Sequence, residues 1–550
     1  MTIPKSLIRT LLVRNAYPRC HPLQKQSLIQ KKLEQSVPKD TQNVIPPKHK
    51  SRTLVLCLDG TGDQFDADNS NIVQLFSLLK KDDPSQQMVY YQSGVGTREP
   101  PHIPGLLRSK IYKTVDLLIA CSLDAHVMDG YQFLMRNYRA GDRICIFGFS
   151  RGAYTARSLA GMIHKVGLLP PDNRQQVPFA YKMYTRTDEI GWCQSTDFKK
   201  AFCIDVPIEF VGVWDTVDSV GLVPKRLPFT ASNTIIRTFR HALSLDENRA
   251  KFKANLWNGP TVRGLKLSTP KSSPWSSRKN TVDSKSHKPR HIRRLESRIK
   301  WYPDYEKLLE KMEELHSSPS SQPTNVEEVW FAGCHGDVGG GSVKNWTRYS
   351  LSRIPLRWMI RECFKAGTGI MFDSQRLRLI GIDPATLYPS VMPRPPALSV
   401  VSAVIPTGET KTPLLQRIIS MFRRQGQTFA QEASIEDPPI GTEEEEELRD
   451  ALSPIHDQLK LSKSWWILEL IPLEFRQQLG NGKWVSWFGL NLGRPREIPN
   501  SSSNVKVHRT VRMRMEACHE HNRRKYKPRT DFKNPLWIDD DVSSQQDQQN

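Results

Sequence analysis

The chain has 550 residues, with 79 Lys and Arg against 57 Asp and Glu, a formal charge of +22. Hydrophobic residues are 38% and aromatics 9%, too apolar for a wholly disordered chain and enough for a sizeable core. The nine cysteines are scattered without a CxxC pair, which argues against a zinc cluster or a disulfide framework and for a reducing compartment, cytoplasmic in the first place.

Residues 1–52 hold eleven Lys and Arg against two acids and show no sustained periodicity, so they read as a basic tail. Lys5, Arg9, Arg14 and Arg19 precede the first acid, Glu34, and a mitochondrial targeting segment is the alternative reading. From Thr53 the pattern changes. TLVLCLDG is a short apolar run that suits a strand buried on both faces. NIVQLFSLLKK places Ile72, Leu75, Phe76 and Leu79 on one face of a helix. MVYYQSGVG is a second strand entering a Gly-rich turn, Ile111 to Tyr138 reads as helical, and DRICIFGFS is a third strand. RGAYTARSLAGMIHKVG follows as a helix rich in small residues. IEFVGVWDTV and VEEVWFAGCHGDVGG are further strands, each ending in a polar turn. Strands alternating with helices predict an α/β fold: a mostly parallel sheet with helices on both faces. Ile111 to Leu123 is broken by Lys113 and Asp116, and no stretch is long and apolar enough for a transmembrane helix.

The organisation that results is a catalytic domain over 53–391, interrupted at 261–300 by an insertion with twelve Lys and Arg against two acids. Residues 392–460, Pro-rich and then acidic at Glu443 to Glu447, read as a mobile excursion. Residues 461–536 return as the rest of the domain or a lid, and 537–550 read as a tail. Trp465, Trp466, Leu470 and Trp487 read either as core aromatics or as a lid or lipid-facing surface.

The sharpest motif is Gly148-Phe149-Ser150-Arg151-Gly152. A GxSxG string between a strand and a helix is a nucleophile elbow, which lifts a serine hydroxyl above the sheet. A serine nucleophile needs a general base, and the base needs an orienting carboxylate. His335 follows one strand and Asp215 another, so the order Ser150, Asp215, His335 fits an α/β-hydrolase. Asp218 and Asp246 compete with Asp215 for the carboxylate role. The Arg151 backbone N–H, with Gly60 or Thr61 from the turn Asp59-Gly60-Thr61-Gly62, would form the oxyanion hole. Asp59 reads as the side chain that fixes that turn. The Arg151 side chain could steer an anionic head group, and Gly94 with Gly96 could form an anion-binding nest.

These motifs together resemble a known family. LCLDGTGD, the Asn71 helix, YYQSGVGT, GFSRGAYTAR, VGVWDTVDSVG, RHALSLDENRAKF and VWFAGCHGDVGGG occur in the order seen in the family that includes the type VI secretion phospholipase effectors. The likeness runs from about Thr53 to Gly341 and resumes at SRIPLRWMIREC and at VHRTVRMRM, as in fungal members. It implies an α/β-hydrolase fold, a Ser-Asp-His triad at Ser150, Asp215 and His335, and cleavage of phospholipid acyl esters. Asp63, where many relatives have Asn, and the basic insertion depart from the pattern.

The expected activity is therefore a cofactor-free serine esterase or lipase acting on an ester or lipid substrate. One alternative is a metal-dependent hydrolase using Asp59, Asp215, His335 and Asp337. The other is a scaffold that binds nucleic acid or membrane, resting on the +22 charge. No DNA- or RNA-reading motif supports nucleic acid. The charge sits in the tail, the insertion and residues 501–536, which hold ten Lys and Arg against three acids. The remaining body is slightly acidic, so the basic segments point to peripheral contact with an anionic membrane.

Overall fold

The computed structural model describes residues 43–94, 123–217, 226–257, 305, 308–317, 323–400, 404–405, 441–478, 484–498, 505–519 and 525–539. Eight strands among them form one sheet: β1 (Thr53–Leu58), β2 (Gln87–Gln92), β3 (Arg143–Phe149), β4 (Ile208–Trp214), β5 (Ile236–Ser244), β6 (Asn325–Phe331), β7 (Val505–His508) and β8 (Pro535–Ile538). Their order is β8-β7-β6-β5-β4-β3-β1-β2, and every neighbouring pair is parallel. The helices used below are α1 (Asn71–Leu78), α2 (Leu123–Asn137), α3 (Arg151–Val166), α4 (Val177–Thr185), α5 (Glu189–Phe202), α6 (His335–Gly339), α7 (Arg353–Lys365), α8 (Glu443–Leu452) and α9 (Arg509–Glu516).

The continuous apolar runs of the strands have a direct cause. Successive side chains point to opposite faces, and both faces are covered. Leu54, Leu56 and Leu58 of β1 join a core with α2, α3 and α4, whereas Val55 and Cys57 join a core with α1 and α7. The expected layered α/β architecture is therefore present, of the α/β-hydrolase-like kind. Strand order reverses at β1: β2 lies on one side of it and β3 on the other. In open parallel sheets ligands bind beyond the carboxyl ends of the strands at such a reversal.

β5 occupies the middle of the sheet yet lacks an apolar run in IRTFRHALS. Arg240 and His241 interrupt it, and both are buried. Arg240 pairs with Glu362 of α7 at 2.6 Å, and His241 with Glu328 of β6 at 2.8 Å. Strands β7 and β8 come from the C-terminal region and complete the main sheet, with β8 extending to Trp537 and Ile538, inside the stretch read as a tail.

Part of the acidic excursion is folded. Residues 406–440, like the insertion at 261–300 and residues 1–42, lie outside the described residues. Glu443 to Leu452, however, is helix α8, started by the Thr442 hydroxyl, which accepts from the Glu445 N–H. Glu443, Glu446, Glu447 and Asp450 share one face, at i, i+3, i+4 and i+7, and that face is buried. Arginines meet it: Arg361 on Glu443 at 2.5 Å, Arg353 on Glu446 at 3.1 Å, Arg509 on Glu447 at 2.6 Å and Arg357 on Asp450 at 2.7 Å. This helix is amphipathic through charge, which a search for apolar periodicity cannot detect. It also absorbs part of the C-terminal positive charge, since Arg509 is wholly buried.

Buried ion pairs contribute little net stability when intact, but breaking one strands a charge. Glu447→Ala would leave Arg509 and Arg394, which approaches Glu447 at 3.2 Å, without that carboxylate. The expected loss is about 3–5 kcal/mol in unfolding free energy by urea titration. A loss below ~1 kcal/mol would show that the network tolerates the gap.

Candidate active site

Ser150 stands between β3 and α3 with φ 58° and ψ −122°, a conformation costly for any residue with a side chain. Two glycines make the turn feasible. A Cβ on Gly148 would sit 2.5 Å from the Ala153 Cα, and one on Gly152 would sit 2.3 Å from the Leu58 and Asp59 carbonyl oxygens. The helix thus lies hard against the end of β1, and only hydrogen fits at either site. The Ser150 hydroxyl does not cap the helix it precedes. The Ser150 N–H donates to the Trp214 carbonyl at 3.0 Å, which ties the elbow to the end of β4.

Asp215 follows directly on β4, at φ 43°, and is wholly buried. His335 opens α6, four residues beyond β6. The His335 Nδ1–H donates to Asp215 Oδ2 at 2.5 Å. The ring is sandwiched between Phe149, stacked at 4.7 Å, and Phe252, edge-on at 4.8 Å. Phe149 is the residue before Ser150. Burial pulls the His335 pKa below its ordinary 6.5, and Asp215 works against that. The imidazole is therefore neutral at pH 7, with Nδ1 committed to Asp215 as donor and Nε2 left as acceptor. Burial alone would raise the Asp215 pKa, but Arg496 and His335 outweigh it and hold the carboxyl well below the usual range.

Of the competing carboxylates, Asp246 is held elsewhere. Asp246 accepts from the Gly333 N–H at 2.7 Å and the Tyr526 hydroxyl at 2.6 Å, and burial pushes its pKa up. Asp218 and Gly96 lie outside the described residues.

The Asp59–Gly62 turn sits beyond β1, at the strand-order reversal. The Asp63 N–H donates to the Gly60 carbonyl at 2.9 Å, with Gly62 at φ 75°, the type II pattern. Asp59 is the clamp of this turn. It accepts from the Gly60 N–H at 2.8 Å, the Ser70 hydroxyl at 2.6 Å and the Tyr91 hydroxyl at 2.8 Å, and burial raises its pKa. The Gly60 N–H is therefore spent on Asp59, which leaves Thr61 as the stronger of the two expected oxyanion donors. The Thr61 hydroxyl is buried and has no hydrogen-bond partner among the described residues. Gly94 has a packing duty instead of an anion-binding one: its N–H donates to the Asp63 carbonyl at 2.9 Å, and a Cβ there would overlap the Gly60 carbonyl.

Asp337 caps α6 through the Cys334 N–H at 2.9 Å and holds His456 at 2.7 Å. Asp59 and Asp337 thus serve turns, and the described residues contain no group of three or more His, Cys, Asp or Glu placed to hold a metal. Arg151 is buried, and its cation, after burial itself, depresses the pKa of buried Lys251.

Two residues escape a reading of motifs. Arg496 grips Asp215 with both terminal guanidinium nitrogens, at 2.6 and 2.8 Å, while Ser244 adds its N–H at 2.9 Å. Glu247 accepts the His335 backbone N–H at 3.1 Å. Burial raises the Glu247 pKa, but Arg249 reverses the effect and holds it at about 2. Glu247 lies within the RHALSLDENRAKF string; nothing local marks Arg496.

A parallel α/β sheet with a serine elbow at its strand-order reversal and a buried Asp–His pair one and three strands along defines an α/β-hydrolase-like protein. Residues 52–362 match the family described as the type VI secretion system phospholipase effector Tle1-like catalytic domain, and the chain belongs to that family. It is 29% identical to an uncharacterized protein of Saccharomyces cerevisiae over 86% of this chain and 80% of that protein. Among solved structures it is similar to an uncharacterized protein from Pseudomonas aeruginosa, at 18% identity, 66% of this chain and TM-score 0.31. It is also similar to a Tle1 effector bound to the VgrG spike, at 16% identity, 54% of this chain and TM-score 0.25. The chain spans about half the length of those two structures, 52% in each case.

The Arg496 clamp has a measurable signature. Because the folded Asp215 pKa is depressed, its contribution is fully present above the unfolded value near 3.9 and is lost only as pH falls on through the folded value. Arg496→Met should raise the folded pKa and remove about 3 kcal/mol of stability at pH 7. Urea titration at pH 7 reads the loss and an NMR titration of the Asp215 carboxyl reads the pKa; a loss of stability with an unshifted Asp215 pKa would show that Arg496 acts through packing alone.

Proposed function

We propose that the protein is a serine hydrolase that cleaves an acyl ester of a lipid, with phospholipid as the favoured substrate. The observation that carries this reading is the strained Ser150 at the elbow, one residue from the Phe149 ring that stacks on His335. Membership in a family of phospholipase effectors supports the hydrolase class. The buried Arg151 and Lys251 cations suit a substrate that carries an anionic group.

In this mechanism Ser150 Oγ attacks the ester carbonyl while His335 Nε2 takes its proton. Asp215 keeps the Nδ1 tautomer and stabilises the imidazolium that forms. The oxyanion is held by the backbone N–H groups of Arg151 and Thr61, each worth roughly 10²–10³ in rate. Collapse expels the alkoxide, protonated by His335, and leaves an acyl group on Ser150. Water, deprotonated by the same imidazole, then releases the acid and restores the serine.

Ser150→Ala should abolish labelling by a fluorophosphonate and lower kcat by about 10⁴-fold or more, with excess EDTA leaving the wild type unaffected. Equal labelling of both proteins, or activity lost to EDTA, would overturn the serine mechanism. Since the His335 pKa lies below 6.5, the acid limb of kcat/KM should have its midpoint below pH 6.5. Asp215→Asn should cost activity across the whole range because it disturbs the tautomer.

A further inference from the structure

The C-terminal region carries large apolar side chains that the fold leaves uncovered. Trp466, Ile467 and Leu470 belong to a short helix, Trp466–Glu469, and its end; Ile467 is 59% exposed and Leu470 60%. Trp487 and Phe488 belong to a hairpin in which Leu473–Gln478 pairs antiparallel with Trp484–Gly489. Within the described residues this hairpin bonds to no other strand. Successive strand residues point to opposite faces, yet Trp487 is 44% and Phe488 59% exposed. Both faces of the hairpin therefore meet solvent there. A two-stranded hairpin is marginal in water by itself; here Phe475, paired opposite Trp487, is buried with Lys253 over its ring, while Trp487 and Phe488 at the far strand stay exposed.

Its base is nevertheless fixed. Buried Glu469 accepts from Asn491 Nδ2 at 2.6 Å, the Gly493 N–H at 2.9 Å and the Ala250 N–H at 2.6 Å. Among the described side chains, the exposed charges flanking it in sequence are Lys460, Lys463 and Arg494 against Glu497. The surface is also continuous with the candidate site. Trp465 meets Phe252 edge-on at 5.5 Å, and Phe252 meets His335. Arg496, which grips Asp215, follows exposed Leu492 by four residues.

We infer that this helix and hairpin form a docking surface for a lipid bilayer containing anionic lipid. Trp, Phe, Leu and Ile projecting from a fixed base, bordered by excess basic charge, match what an interfacial layer accepts. Exposure of neighbouring Trp487 and Phe488, which point to opposite sides of their strand, favours a medium that surrounds the tip over a flat protein partner. No described helix is long and apolar enough to cross a membrane, so the contact is peripheral. Seated this way, the surface sets the His335 side of the site against the bilayer. The inference deepens the lipid-ester reading and rests on it for the meaning of that placement.

The test uses the full chain and vesicles of equal parts phosphatidylcholine and phosphatidylglycerol. Binding is measured by co-sedimentation in a Ser150→Ala background, so that no lipid is consumed. Ile467→Ser, Leu470→Ser and Phe488→Ser together should weaken binding by about 100-fold or more. Ile190→Ser on α5, where the side chain is 60% exposed, should leave it unchanged. With Ser150 present, the triple variant should keep its rate of labelling by a soluble fluorophosphonate within twofold, which also shows that it is folded. Independently of any variant, vesicles with brominated acyl chains should quench the tryptophan emission of the unmodified protein. Unchanged vesicle binding, an equal effect of Ile190→Ser, or absence of quenching would overturn the surface. So would a fall in oligomeric mass on light scattering without a change in vesicle binding, which would assign the face to a second copy of the chain. Labelling without patch-dependent binding would leave the hydrolase and remove the surface. Patch-dependent binding without labelling would do the reverse.

Discussion

The arrangement depends on one buried carboxylate. Asp215 has no solvent exposure, and an ion of that size loses several kcal/mol when it leaves water. The loss is tolerable only because donors from separate parts of the chain converge on it. Ser244 supplies an N–H and a hydroxyl from the end of β5, His335 a ring N–H from α6, and Arg496 a two-pronged guanidinium from the C-terminal segment. Charge-assisted bonds of this kind are the strong ones, and the fork of Arg fits both oxygens at once. The same donors keep Asp215 ionised, which fixes the His335 tautomer and leaves Nε2 as the acceptor. Satisfying one carboxylate thus joins two strand ends, a helix start and a remote segment into one site.

The parts of this site that were legible in the sequence are those with local causes. The Ser150 elbow demands small residues at 148 and 152, because backbone from β1 and α3 occupies the space where a Cβ would go. That demand is written in five consecutive residues. Asp215 and His335 follow strands that read as apolar runs, and chain order relates them. Arg496 has no such cause nearby. Its partner lies 281 positions upstream, and its own surroundings, GRPREIP, carry no periodicity. The sequence offered no choice between Gly60 and Thr61; in the fold the Asp59 side chain occupies the Gly60 N–H.

Buried charge explains the rest of what the pattern concealed. A strand is recognised by its apolar run, yet β5 carries Arg240 and His241 in the centre of the sheet because Glu362 and Glu328 await them. The acidic helix α8 is inverted in the same sense: its buried face holds carboxylates and its partners are arginines from α7 and α9. Each half looks solvated when read alone. The cost of leaving either half unpaired makes the pairing specific, and the information lies in the complementarity between distant segments. The charge of +22 therefore cannot be treated as wholly available to an acidic partner, since Arg509 and Arg514 of the basic C-terminal stretch are buried inside.

The exposed aromatics invert the ordinary expectation in a complementary way. Tryptophans at 466 and 487 are more often core residues, and the covering they would need is absent from the described fold. What the fold supplies there is a fixed base: Glu469 binds three donors across two segments, and the Trp465–Phe252–His335 ring series leads inward from it. The element is thus held at its base by buried hydrogen bonds and left uncovered at its tip. The segment that reaches solvent through Leu492 also reaches Asp215 through Arg496. Any force or contact that moved this segment would act on the donor set of the buried carboxylate.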